Sequence, residues 1–124
     1  MRDSAVRVIL LVAGAFFLVT GIWAFAAPTS FYDVVATYPP YNEHLFHDIG
    51  SFQIGIGVSA VAGVLWNSGI GVALVGGTAG AVAHAVSHML DRDLGGRATD
   101  PLSLALFAGL LIVGLVLHLK RSAT

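Results

Sequence analysis

Long stretches without a formal charge leave this chain few ways to fold. Residues 8–27 hold no Asp, Glu, Lys, Arg or His, residues 103–119 hold only His118, and residues 49–90 hold only His84 and His88. A helix rises ~1.5 Å per residue, so about 20 residues cross the ~30 Å hydrocarbon core of a bilayer. The first and last stretches are each one crossing, and the middle one is two. Charged residues make up 10% of the chain, against roughly 25% in ordinary soluble domains. The expectation is an all-α integral membrane four-helix bundle, a single transmembrane domain over residues 1–124 with spans at about 5–27, 43–66, 70–90 and 102–120.

The punctuation between the spans agrees. Pro28 cannot continue the first helix. After it, Phe31, Val34, Val35 and Tyr38 recur at helical spacing, which predicts a short helix in the headgroup layer, where a tyrosine buries its ring and wets its hydroxyl. Pro39-Pro40 ends that helix. Asn42 is placed to cap the second span, with Glu43 and Asp48 near the positive end of its dipole. Asn67-Ser68-Gly69 forms a tight turn, Gly95-Gly96 lies inside a polar loop, and Pro101 suits the first turn of the last span.

Arg2 and Arg7 followed by an apolar run and Ala24-Phe25-Ala26 imitate a secretory signal. The run is longer than the usual 7–15 residues and holds Trp23 near its far end, so a retained span is expected. Arg2, Arg7, Lys120 and Arg121 flank the outermost spans, against Arg92 and Arg97 in the Asp91–Asp100 loop. Lys and Arg favour the cytoplasmic side, so a multi-pass protein of the plasma membrane with both termini cytoplasmic is expected. Trp66, beside the turn, and His118, one turn from Lys120, read as interfacial residues, the histidine snorkelling toward headgroups.

A net charge of −1 without a basic stripe gives no sign of nucleic-acid binding. The chain has no cysteine, which excludes intrachain disulfides, thiolate metal sites, iron–sulfur clusters and thiol redox chemistry. The expected partners are the lipid bilayer and either a membrane-protein partner or further copies of the chain. Small residues recur at i, i+4: Gly76 and Gly80 in line with His84 and His88, then Ala73, Gly77, Ala81 and Ala85, and on the second span Gly55, Ser59 and Gly63. Such rows let helices approach closely in lipid. They are expected to pack the second and third spans as a tight hairpin and to turn both histidines into the bundle.

The chemistry concentrates at one end of that hairpin. Four of the five histidines fall in Glu43-His44-Leu45-Phe46-His47-Asp48 and in His84-Ala85-Val86-Ser87-His88-Met89-Leu90-Asp91. Ionisable groups beside hydrocarbon need partners and are functional candidates by default. His84 and His88, and His44 and His47, are spaced to share one helical face. Antiparallel spans place Glu43, His44, His47 and Asp48 level with His88 and Asp91, with His84 about 6 Å deeper. Four uses stay open. A structural network would lock helices through imidazole–carboxylate pairs. A divalent metal (Zn, Fe or Mn) would suit mixed imidazole and carboxylate ligands. A haem would take one axial histidine from each helix, and a proton-responsive role would use imidazoles that titrate near neutral pH. The candidate metal ligands are therefore His44, His47, His84, His88, Glu43, Asp48 and Asp91.

The order Trp23…Ala27-Pro28, Phe31-Tyr32, Tyr41-Asn42-Glu43-His44-Leu45…Asp48-Ile49-Gly50 and His84…His88 resembles the small four-helix DoxX-like membrane proteins, particularly their actinobacterial members. The resemblance implies an integral plasma-membrane protein of bacterial origin. Association of some relatives with respiratory or oxidative-stress complexes adds to an accessory-subunit reading. It supplies no catalytic residue to carry over. Two function classes follow: a non-catalytic scaffold or accessory subunit, favoured because no nucleophile, phosphate loop or cofactor motif is present, and a metal- or haem-binding membrane oxidoreductase or small-ligand carrier.

Overall fold

A computed structural model describes residues 2–122 and the side chains of residues 4–121, so the Arg2 side chain counted toward orientation lies outside the described residues. Five helices follow in order: α1 (Arg2–Ala26), α2 (Pro28–Val34), α3 (Glu43–Leu65), α4 (Ile70–Leu90) and α5 (Asp100–Ser122). Four are long and apolar enough to cross a membrane, and α2 is the short helix expected between the first two. The boundaries have local causes. Pro28 opens α2 directly after α1 ends. The Asn42 side chain accepts the Leu45 N–H at 3.2 Å and caps α3. Asn67 and Gly69, with φ of 53° and 74°, reverse the chain between α3 and α4.

The helices run alternately up and down. One end carries α2, residues 35–42 and the 91–99 loop, and is called the lid end below. The other carries the 66–69 turn with the start of α1 and the end of α5. There Arg7 Nη1 donates to the Val64 carbonyl and to Asn67 Oδ1, both at 3.3 Å. Trp66 stands exposed beside the turn. His118 does not simply snorkel: it lies against α4, where a Cβ at Gly71 would come within 2.8 Å of its Nε2.

Helix partners differ from the sequence expectation. α3 packs most closely along α1, and α4 along α5, with α1 and α5 joining the two pairs. The α1–α3 seam is built on glycines seven apart. A Cβ at Gly50 would fall 2.7 Å from the Gly21 carbonyl oxygen, and one at Gly57 would fall 2.9 Å from that of Gly14. Backbone thus meets backbone, the contact that drives helix association where lipid gives no hydrophobic force. Residue 55 lies on the face of α3 opposite this seam, and a Cβ at Gly55, Gly76 or Gly80 would meet nothing within 4 Å. The expected tight α3–α4 hairpin is therefore corrected: above their turn these helices part around a surface groove of about 770 Å³ that includes Gly55, Ser59, Val72 and Gly76. The second small row does face inward: Gly77, Ala81 and Ala85 are buried, and a Cβ at Gly77 would lie 3.9 Å from Leu111 of α5.

Two apolar clusters hold the bundle. One centres on the fully buried Leu10, Leu74 and Leu111. The other, Ala24, Phe31 and Phe46 with Trp23, Tyr32 and Tyr41 around them, roots α2 on the lid ends of α1 and α3. Between the two clusters the packing opens into a cavity.

Candidate functional site

The site starts from one helical turn of α4. His84 and His88 meet through their Nε2 atoms at 3.1 Å. Tyr38, from the segment after α2, places its hydroxyl 3.0 Å from His88 Nδ1, and its ring stands edge-on to the imidazole. Asp100, in the first turn of α5, brings Oδ2 to 3.9 Å from the same nitrogen. That Oδ2 already accepts the Arg97 N–H at 2.8 Å. The His88 and Asp100 side chains are only 16% and 20% exposed.

The 91–99 loop fixes Tyr38 in place. The Gly96 N–H donates to the Thr37 carbonyl at 3.3 Å, and the Arg97 guanidinium donates to the Val34 carbonyl. Gly95 and Gly96 have φ of 138° and 78°. A Cβ on Gly95 would come within 2.7 Å of Thr37 O, and one on Gly96 within 2.5 Å of the Tyr38 hydroxyl. Conformation and space both demand glycine at this pair. Burial first, then the carboxylates of Asp100 and Asp91, raise the Tyr38 phenol above its ordinary value, which keeps it protonated and able to donate.

Beneath this cluster lies a cavity of about 210 Å³ lined by all five helices. Phe16, Phe17, Phe31 and Phe107 give it an aromatic wall; Phe107 lies 4.5 Å from Phe16 and 5.5 Å from Phe17, centroid to centroid. Its polar groups are His84, His88, Asp100 and Ser103 toward the lid, and Thr20 and Gln53 across the α1–α3 seam. The Thr20 hydroxyl bonds to the Phe16 carbonyl at 2.8 Å and meets the Gln53 side-chain amide. A second hollow of about 330 Å³ sits on the outer side of Tyr38, flanked by Arg92 and Arg97. His88 lines both spaces, and Tyr38 only the outer one.

The expected residues divide. His84 and His88 lie at the cavity as a pair. On α3, His44 pairs with Asp48 at 3.6 Å and His47 with Glu43 at 4.0 Å, each within its own helix. The His44 side chain is 86% exposed, and the His47 ring rests on Phe25 of α1 at 5.2 Å. Neither α3 histidine lines the cavity, so the axial pair pictured for haem, one imidazole from each helix, does not form across it. Asp91 follows the end of α4, and its charge acts on Tyr38. Among the described residues no three of His, Asp and Glu gather closely enough to hold a metal ion. The single seven-residue neighbourhood is thus corrected to a His pair with new partners and two surface pairs, because α3 turns its Gly50–Gly57 face to α1.

Tyr38, Asp100, Thr20, Gln53 and Ser103 are site residues that the sequence reading did not select. Gln53 carried a signal, as the chain's one glutamine and a lone amide in an uncharged stretch. Tyr38 and Asp100 carried none, since contacts between two loops bring them to His88.

Fold and site together define a class: a multi-pass membrane bundle with a partly open aromatic cavity, polar at the end next to residues 35–42 and the 91–99 loop. Comparison with family models, with curated proteins and with solved structures finds no match, so function is argued from the chemistry of the cavity.

Proposed function

We propose that this chain is a non-catalytic membrane subunit that holds a small, mostly apolar ligand in the cavity between its spans. The observation that carries the reading is the lining: four phenylalanines on the wall and a partly buried hydrogen-bonding cluster at one end. Small-molecule sites have this build, apolar walls with a few placed polar groups. A non-catalytic role is supported by the two serines beside the histidines, while the Tyr38 phenol that does meet His88 is held in its protonated form. Ser87 donates to the His84 carbonyl at 2.8 Å and Ser103 to the Thr99 carbonyl at 3.1 Å, so neither is paired with an imidazole as an activated nucleophile would be.

The proposal extends to setting. A bacterial plasma membrane and DoxX-like kinship rest on the Tyr-Asn-Glu-His-Leu segment and its surroundings. Cytoplasmic termini rest on the four-to-two distribution of Lys and Arg, which puts the lid on the outer side. Alkaline phosphatase fused after Tyr38 and after Gly96 is then active, and after Ser68 inactive. The reverse pattern overturns the orientation.

Native mass spectrometry of protein extracted gently from its own membrane tests the ligand. A bound small molecule is expected, and a bare chain under conditions that retain lipids contradicts the proposal. One observation favours a second reading. The His84 and His88 Nε2 atoms, 3.1 Å apart, form one edge of a coordination site for Zn, Fe or Mn. Stoichiometric metal that disappears in His84→Ala would establish it.

A further inference from the structure

The hydrogen bonds at the lid end have a direction. A phenol carries one proton, and Tyr38 has a single side-chain partner among the described residues, His88 Nδ1 at 3.0 Å. Were Nδ1 protonated in a neutral His88, the Tyr38 proton would have no protein acceptor among the described residues. The competing partner for an Nδ1–H, Asp100 Oδ2, lies at 3.9 Å and is engaged by the Arg97 N–H, beyond ordinary hydrogen-bond reach. The arrangement that gives every proton an acceptor within the protein has Tyr38 donating and His88 Nδ1 accepting. A neutral imidazole has one donor nitrogen and one acceptor, so His88 carries its proton on Nε2. It gives that proton to His84 Nε2 at 3.1 Å. In that arrangement His84 accepts at Nε2 and carries its own proton on Nδ1. No protein group bonds to His84 Nδ1 among the described residues, and His84 lines the cavity.

We infer that Tyr38 sets the tautomer of His84 through His88, so that the cavity presents an N–H donor and selects ligands whose polar end is a hydrogen-bond acceptor, such as an aryl ketone. Tyr38 lines the outer hollow and not the cavity; it is a positioning residue for a ligand it does not touch. The inference rests on the cavity being a ligand site, and its test separates the two claims.

Ring-nitrogen NMR of histidine-labelled protein in phosphatidylcholine nanodiscs reads the tautomers directly. At about pH 8.5, above the ordinary imidazole value of about 6.5, His88 is expected protonated at Nε2 and His84 at Nδ1. In Tyr38→Phe, which keeps the ring against His88 and removes only the hydroxyl, both become tautomer mixtures. Equilibrium dialysis against empty nanodiscs then compares 2-acetylnaphthalene with 2-ethylnaphthalene, which lacks the carbonyl. The ketone is expected to bind about tenfold more tightly, the worth of roughly one hydrogen bond, and to lose that preference in Tyr38→Phe. His84 protonated at Nε2, or equal binding of the two probes to the unmodified protein, overturns the inference. If neither probe binds, ligand holding fails and the selection with it, while the nitrogen spectra still decide the tautomers.

Discussion

Gly80→Leu separates the cavity from the fold. Gly80 lines the cavity, and a Cβ built on it meets nothing within 4 Å. A leucine therefore enters without striking protein atoms at its first carbon. Exchanging a mid-helix glycine for leucine also removes backbone entropy from the unfolded chain, worth up to about 0.7 kcal/mol, so the thermal midpoint is expected unchanged or slightly raised. The ligand meets the opposite effect. Four new carbons occupy space within a cavity of about 210 Å³, and forcing extra groups into a filled site costs about 1–3 kcal/mol. That corresponds to binding weaker by roughly 5- to 150-fold. Thermal unfolding in detergent and dialysis with 2-acetylnaphthalene measure the two effects on one preparation. A folded Gly80→Leu variant that binds as the unmodified protein does would refute the placement of the ligand.

Three more outcomes follow from the geometry. Gly21→Ala would put a Cβ 2.8 Å from Gln53 Cβ and 2.9 Å from the Ile54 nitrogen, so thermal unfolding should show a loss of about 1–3 kcal/mol, in contrast to Gly80→Leu. His44→Ala removes only a surface pair on α3 and should leave thermal midpoint and probe binding as they were, while His47→Ala, which also loses the ring contact with Phe25, should leave probe binding unchanged; loss of binding in either would put the α3 histidines back into the site. Because the folded protein holds the Tyr38 proton more tightly than the unfolded chain, the stability it contributes is complete below the ordinary phenol value of 10.0 and falls as pH rises through the raised one. A pH series of unfolding midpoints should show this decline in the unmodified protein and a shallower one in Tyr38→Phe.

The spans were legible because their causes are local. Pro28, the Asn42 cap, Gly69 and Pro101 act within a turn of where they stand, and uncharged stretches of membrane length have few alternatives. Helix partners were not legible in the same way. Small residues at i, i+4 occur on several faces of α3 and α4, and spacing alone cannot tell Gly55–Ser59–Gly63 from the Gly50–Gly57 face that meets α1. The site was half visible for a related reason. The pairing of His84 with His88 follows from their i, i+4 spacing on α4, whereas Tyr38 reaches His88 across fifty residues of chain. Its position depends on the Gly96–Thr37 and Arg97–Val34 hydrogen bonds between two loops. The α3 carboxylates and imidazoles satisfied one another within their own helix, an outcome that i, i+4 spacing permits as readily as a shared site.

The central claim is that the cavity under the lid holds a small molecule. An experimental structure of the protein extracted from its native membrane, without stripping of bound lipids, tests this most directly. The account predicts non-protein density enclosed by Phe16, Phe17, Phe31 and Phe107, with its polar end toward His84. A closed cavity, with Phe107 packed into the space and no density beside His84, would contradict it.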